Sequence, residues 1–160
     1  MNIPRIGFGY DVHVFSEKRE LWLGGIKIEY ELGLLGHSDA DVLIHALCDA
    51  LLGAANLRDI GFHFPDTSID YKNIDSKILL KETMLLIREK AYEFGNADCT
   101  VCAEEPKINP HIPAMQKCLA EVMGVDSDSI SIKATTSEKM GFVGRKEGIA
   151  VYATVLIYKK

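Results

Sequence analysis

The stretch that most constrains this chain is its last strand-like run, IAVYATVLIYKK, residues 149–160. Read with a period of two, Ile149, Val151, Ala153, Val155 and Ile157 fall on one face, and Ala150, Tyr152, Thr154 and Leu156 on the other. The run is rich in β-branched residues and mostly apolar on both faces, so it belongs in a sheet covered from both sides. The remaining sequence offers three clear helical patterns, enough for one sheet face. Burial of the second face then calls for self-association through the sheet. The expected fold is therefore α/β of the α+β kind: one two-layer sandwich domain over residues 1–160, a mixed sheet with helices on one face and the other face packed in a homo-oligomer.

Arg5 to Phe15 reads as a first strand. LWLGG and IKIEYELG read as a short hairpin or edge segment broken by Gly24, Gly25 and Gly33. In GHSDADVLIHALCDALLGAA, Ser38 followed by Asp41 is a helix-start signature, and Leu43, Ala46, Leu47, Ala50 and Leu51 make an apolar helical face reaching Gly53. NLRDIGFHFPDTSIDYKNID is aperiodic, a long loop of the kind that is usually functional or mobile. SKILLKETMLLIREKAYEFG predicts a helix that stops at Gly95, and ADCTVCAEE a strand. AMQKCLAEVMG predicts a helix with Pro113 near its start and Gly124 past its end. SISIKATT is a strand and SEKMGFVGRKEG a polar turn. The order is β, β(β), α, α, β, α, β, β.

At 160 residues, 48% of them hydrophobic, the chain can bury a core without disulfides. Its net charge of −5 argues against nonspecific nucleic-acid binding, which needs clustered cations, but not against a small phosphorylated ligand. MNIPRIGFGYDVH lacks the features of a leader, and no run has the length of a membrane span, so a cytoplasmic location with no membrane partner is expected. Cys99 and Cys102 are three apart on a predicted strand, hence on opposite faces. With Cys48 and Cys118 they read as reduced, mostly buried thiols.

Four segments can carry chemistry. In GFGYDVHVF, Asp11 and His13 share one face of a strand, with Tyr10, Val12 and Val14 facing the other way, into packing. Two readings stand level on this segment alone: polar residues turned to water, or two ligands of one metal ion. His45, one helical turn after Asp41, tips the balance, because Asp, His and His form an adequate shell for zinc with one position left open. In RDIGFHFPD, Asp59 and Asp66 read most simply as solvated loop carboxylates. In KATTSEKMGFVGR, Thr135 and Thr136 offer hydroxyls to phosphate, Glu138 suits a hard cation, and Arg145 can meet a phosphate bidentately, although a strand end with helix-cap chemistry explains the same residues. In AEEPKINPH, two prolines make an extended loop able to read a flat ring, or a plain connection.

In this order the motifs resemble the 2-C-methyl-D-erythritol 2,4-cyclodiphosphate synthase family of the non-mevalonate isoprenoid route. The likeness rests on G-x-D-x-H at Gly9 to His13, H-S-D-A-D-x-x-x-H at His37 to His45 and D-I-G-x-x-F-P-D at Asp59 to Asp66. It continues with P-K-x-x-P-H at Pro106 to His111 and K-A-T-T-x-E-x-x-G-F-x-G-R-x-E-G at Lys133 to Gly148. The resemblance implies a homotrimer with active sites between subunits. It implies zinc on Asp11, His13 and His45, and Mg²⁺ or Mn²⁺ on Glu138. It implies His37, Ser38, Asp59, Gly61, Phe64 and Asp66 around the methylerythritol phosphate. Ala103, Lys107, Ala134, Thr135 and Thr136 would hold the cytidine diphosphate, with Phe142 and Arg145 as further substrate contacts and His37, Thr136 and Glu138 as catalytic groups. Asn109 departs from the family pattern, where an apolar residue is usual.

The activity so implied is that of a phosphorus–oxygen lyase. It converts 4-diphosphocytidyl-2-C-methyl-D-erythritol 2-phosphate to the 2,4-cyclodiphosphate and releases CMP. A trimer's central cavity, near Phe8, Val12 and Arg145, would be the place for an isoprenoid diphosphate. A zinc-dependent phosphate-ester hydrolase and a non-catalytic trimeric metal-binding module are the alternatives.

Overall fold

A computed structural model describes residues 3–160; Met1 and Asn2, the start of the stretch read above for a leader, lie outside the described residues. The first strand, β1 (Arg5–Ser16), is followed by β2 (Leu21–Leu23) and β3 (Ile26–Ile28). These two form a separate hairpin whose turn residues, Gly24 and Gly25, have φ of +61° and +79°, the left-handed pair that a tight two-residue hairpin requires. A two-residue strand, β4 (Gly33–Leu34), returns beside the end of β1. Then come α1 (Val42–Ala54), the one-turn α2 (Ile60–His63), α3 (Ser76–Glu89) and β5 (Tyr92–Cys102). The chain closes with α4 (Ile112–Met123), β6 (Ile130–Thr135), the one-turn α5 (Gly141–Gly144) and β7 (Gly148–Lys159).

The main sheet has five strands in the order β4-β1-β7-β5-β6. Strand β7, the run apolar on both faces, occupies the middle, antiparallel to both β1 and β5, while β5 and β6 are parallel. The sheet is therefore mixed, as expected. On its covered face Ile149, Val151, Ala153, Val155 and Ile157 are buried against a core that includes Leu43, Leu47, Leu51, Leu80, Met84 and Leu119 from the helices. The opposite face is open in a single chain: Ile6 is 73%, Phe8 63% and Tyr152 44% exposed, with Tyr10, Val12 and Val14 alongside. The packing expected for Tyr10, Val12 and Val14 is thus not supplied within one chain.

Three local expectations need correction. The second long helix stops at Glu89, not Gly95. Ala91, at φ +60°, turns the chain into β5, where Tyr92 and Phe94 enter the core with a period of two. Gly95 instead marks a bulge, where the pairing with β7 slips between Phe94 and Asn96. At the first helix Ser38 is not the cap. Asp41 is, and its carboxylate accepts from the Ile44 amide. The same buried carboxylate also accepts from the Gly24 and Gly25 amides, tying the β2–β3 turn to the start of α1. The long connection between α1 and α3 is not structureless, since it holds α2 and a 3₁₀ turn at Ile69–Tyr71. Cys99 is buried and Cys102 half-buried, on opposite faces as the alternation requires. Only Cys48 and Cys99 are buried, Cys118 being half-buried like Cys102. Burial pushes the Cys48 and Cys99 thiols up to about 12, which keeps both in the unreactive thiol form.

The contact of α1 with β1 is unusually close. A Cβ added at Gly7 would overlap the Ala50 carbonyl oxygen, and one at Gly9 the Ala46 carbonyl oxygen. Gly9→Ala should therefore lower the free energy of unfolding by at least about 1–3 kcal/mol, the usual cost of forced overpacking. Gly53→Ala, where a Cβ meets nothing, should be neutral or stabilising by up to about 1 kcal/mol. Urea unfolding of the two variants checks the pair.

Candidate active site

Beyond Gly7 and Gly9, the next residues on the inward face of β1 are Asp11 and His13. Because α1 lies against the two glycines, its first turns pass beside these two side chains, and His45 meets them. His13 Nε2 lies 3.0 Å from Asp11 Oδ2, His45 Nδ1 lies 3.2 Å from the same oxygen, and the two ring nitrogens are 3.3 Å apart. The His13 ring is oriented by its other nitrogen, Nδ1, which donates to the Leu35 carbonyl at 2.8 Å, just past β4. In the neutral imidazole that bond leaves the lone pair on Nε2, directed at the cluster.

Two nitrogen atoms and a carboxylate oxygen converging on one point require a cation or a proton between them. Donor atoms bound to a tetrahedral zinc ion at about 2.0–2.1 Å lie roughly 3.3 Å from one another, which is the spacing seen here. The donor set thus fits a small divalent cation of the zinc type, with one coordination position left over. Among the described residues, Asp11, His13 and His45 are the one group of three or more His, Cys, Asp or Glu side chains with converging donor atoms. Burial opposes the charge on Asp11, but hydrogen bonds and charge from His13 and His45 outweigh it and hold the carboxyl at about 2. Burial would likewise depress the His13 imidazole, yet the hydrogen bond and charge of Asp11, with the Leu35 carbonyl, raise it.

This cluster forms one wall of a cleft of about 280 Å³ that also contains His37, Ser38, Gly61, Phe64 and Asp66. Here the long connection folds back over the end of α1. Asp49 Oδ1 accepts from the Ile60 amide at 2.7 Å, and His37 Nε2 lies 3.0 Å from the Ser68 carbonyl. Asp49, Tyr71, Ile74 and Leu79 line the cleft without having been singled out in the sequence. Asp49 was legible in principle, since it lies four residues after His45 on one helix face. Burial, reinforced by the Asp59 and Asp11 charges, raises its carboxyl despite the Ile60 amide. Asp59 is an exposed residue at the start of α2 and does not line the cleft.

A second cleft, of about 450 Å³, lies at the ends of β5 and β6. It gathers Ala103, Lys107, Asn109, Ala134, Thr135 and Thr136, and shares no lining residue with the first. Glu104 also lines it, and the sequence reading missed its part. Its Oε1 accepts from the Ser137 amide at 3.0 Å and the Lys139 amide at 3.2 Å. These bonds brace a turn in which Glu138 and Lys139 both have positive φ, +54° and +62°. Glu138 in this turn, and Phe142 and Arg145 on the surface segment after it, line neither cleft. Glu138 is exposed and lies near Thr136 Oγ1, and Arg145 pairs with Glu147 at 2.9 Å. One chain therefore brings Asp11, His13 and His45 together with His37, Ser38, Gly61, Phe64 and Asp66 in one cleft, and Ala103, Lys107, Ala134, Thr135 and Thr136 in another.

The pattern of the YgbB family matches residues 4–158. A protein from Parabacteroides distasonis named 2-C-methyl-D-erythritol 2,4-cyclodiphosphate synthase is 74% identical over 155 residues, covering 97% of this chain and 96% of its own length. A protein of the same name from Bacteroides fragilis is 70% identical over 153 residues, covering 96% of each. Among solved structures, the bifunctional IspDF from Campylobacter jejuni superposes with a TM-score of 0.97 at 45% identity. That match covers 100% of this chain and 43% of that protein. The Plasmodium falciparum IspF in complex with CDP superposes with a TM-score of 0.87 at 38% identity, covering 100% and 99%. The chain belongs to the YgbB family, and its relatives from Parabacteroides distasonis and Bacteroides fragilis are named 2-C-methyl-D-erythritol 2,4-cyclodiphosphate synthase.

Proposed function

We propose that this chain, as one catalytic domain over residues 1–160, converts 4-diphosphocytidyl-2-C-methyl-D-erythritol 2-phosphate to 2-C-methyl-D-erythritol 2,4-cyclodiphosphate and CMP in the cytoplasm. The observation that carries the reading is the Asp11–His13–His45 cluster at the wall of a cleft, in a chain 74% identical to a protein named for that product. Among the described residues no helix is long and apolar enough to cross a membrane.

The substrate's 2-phosphate oxygen attacks the β-phosphorus, a new P–O bond forms, and the bond to the α-phosphate oxygen breaks to release CMP. Nucleophile and electrophile are both anionic, so orientation and charge are the obstacles, and no base is needed. Asp11, His13 and His45 would hold a zinc ion and Glu138 a Mg²⁺ or Mn²⁺ ion. When bound, these cations supply charge neutralisation and polarisation of phosphoryl oxygens. The chain's own groups do the positioning. His37 and Ser38, with Gly61, Phe64 and Asp66 in the cleft and Asp59 at its margin, bind the methylerythritol phosphate. Ala103, Lys107, Ala134 and Thr135 take the cytidine diphosphate. Thr136 and Glu138, with His37, contact the phosphates that react, and Phe142 and Arg145 complete the substrate contacts.

Because the two clefts of one chain share no residue, the reading includes a homotrimer in which the first cleft of one subunit meets the second cleft of its neighbour. The open face of β1 and β7, with Ile6, Phe8, Tyr10 and Tyr152, supports burial between copies. The cavity so formed, near Phe8, Val12 and Arg145, is where an isoprenoid diphosphate would bind.

His45→Ala should lose zinc by elemental analysis and reduce CMP release to background, and full turnover in a zinc-free variant would refute the metal assignment. Phosphorus NMR of the wild-type products should show a cyclic diphosphate and CMP, whereas a linear phosphate carrying solvent oxygen means hydrolysis. Zinc must displace the proton that the raised His13 retains, while Asp11 is already ionised. Zinc affinity should therefore fall as pH is lowered from about 8 to about 6, with protons released on binding. Calorimetry in buffers of different ionisation enthalpy reads both. Phe8→Asp should reduce the mass in light scattering from a trimer to a monomer and abolish turnover, with zinc binding retained.

A further inference from the structure

The two histidines of the cluster present opposite nitrogens to it. His13 uses Nε2 because Nδ1 is held by the Leu35 carbonyl, whereas His45 uses Nδ1. His45 Nε2 points the other way, away from Asp11 and His13, to the Ser76 hydroxyl at 2.9 Å and the Ser38 hydroxyl at 3.1 Å. Ser76 opens α3 and is fully buried. Its hydroxyl donates to Asp39 Oδ1 at 2.5 Å, and its own amide donates to Asp39 Oδ2 at 2.9 Å. Asp39 Oδ1 also accepts from the Asp41 amide at 3.1 Å.

The direction of this chain of bonds follows from the donors available. A serine hydroxyl has one hydrogen, and a carboxylate accepts only. With that hydrogen committed to Asp39, Ser76 Oγ faces His45 with lone pairs alone, so His45 Nε2 must carry the proton. Nδ1 is then left bare toward Asp11 and His13. Ser38 fits the same polarity. Its oxygen accepts from the Ala40 amide at 3.1 Å and lies beside Ser76 Oγ at 3.4 Å.

We propose that Ser76 and Asp39 are positioning residues for the metal site: the buried Ser76, held by the half-buried Asp39, fixes the tautomer and ring orientation of His45 so that Nδ1 is the ligating atom. The inference rests on the metal reading of Asp11, His13 and His45 given above. It gives α3, which lines the first cleft only at Leu79, a direct part in building the site. Partners of this kind typically contribute about 10–100-fold to metal affinity.

The test uses full-length protein stripped of metal and titrated with zinc against a competing chelator. Ser76→Ala and Asp39→Asn should each bind zinc about 10–100-fold more weakly than the wild type. In Asp39→Asn the side-chain amide can donate to Ser76, which turns the serine hydroxyl toward His45 and favours the wrong tautomer. Proton–nitrogen NMR of the zinc-loaded wild type should show a slowly exchanging proton on His45 Nε2, lost or fast-exchanging in Ser76→Ala. A purely structural role would lower the thermal midpoint of the metal-free variants while leaving zinc affinity and that proton unchanged. Equal zinc affinity in wild type and both variants, or a His45 proton on Nδ1, overturns the proposal. No zinc binding by the wild type overturns the metal reading itself, and the proposal with it.

Discussion

The close approach of α1 to β1 is the contact on which the rest of the structure depends. Two glycines on the inward face of β1 let the helix backbone come within a distance that any side chain would prevent. This seats α1 against the sheet and also sets the site. Continuing along the same strand face, the positions after Gly7 and Gly9 are Asp11 and His13, and the helix residue next to Ala46 is His45. A wider separation would preserve a core of Leu and Ile side chains but would pull His45 away from its partners. The same strand therefore provides clearance in its first half and donor atoms in its second.

Around that contact the supporting groups are layered. Asp41, buried at the start of α1, holds the β2–β3 turn through the amides of Gly24 and Gly25, and so fixes where the helix begins. Leu35 orients His13 from the β4 side, and the Ser76 hydroxyl contacts His45 from α3. Elements distant in sequence thus each contribute one hydrogen bond to a single histidine pair. An imidazole has two distinct nitrogens, and a metal site made from two of them needs both rings in the correct tautomer. The second cleft follows the same logic on a smaller scale, with Glu104 bracing the turn that carries Glu138.

The strands also explain why one chain has two separate clefts and an uncovered face. The helices cover only the side of the sheet that carries Ile149, Val151 and Val155, leaving Phe8, Tyr10 and Tyr152 outside. Tyr152 lies tilted against Tyr10 with ring centroids 5.1 Å apart and approaches Phe8 at 6.3 Å, which gathers these rings into one aromatic patch. The proposed homotrimer would account for both the open apolar face and the separation of the two clefts through one arrangement of copies about that face.

Much of this was legible in the sequence. Strand periodicity put Asp11 and His13 on one face, marked β7 as apolar on both faces, and separated Cys99 from Cys102. Helical spacing placed His45 on the first helix. These are local rules of geometry, and they hold whenever the element forms. Helix ends were less legible: KAYEFG is compatible with a helix or a strand, and only the core that receives Tyr92 and Phe94 selects the strand. Ser38 and Asp41 both have capping chemistry, and the choice fell to Asp41 because the Gly24–Gly25 turn also needed its carboxylate. The roles of Ser76, Asp39 and Glu104 left no trace in the sequence pattern, since each acts on a residue or backbone group remote in the chain, whereas Asp49 was readable as a neighbour of His45 on one helix face. Sequence alone determined which side chains share a face. Tertiary structure alone decided which faces meet and which nitrogen of each histidine turns inward, because those outcomes depend on hydrogen-bond partners brought together only by packing.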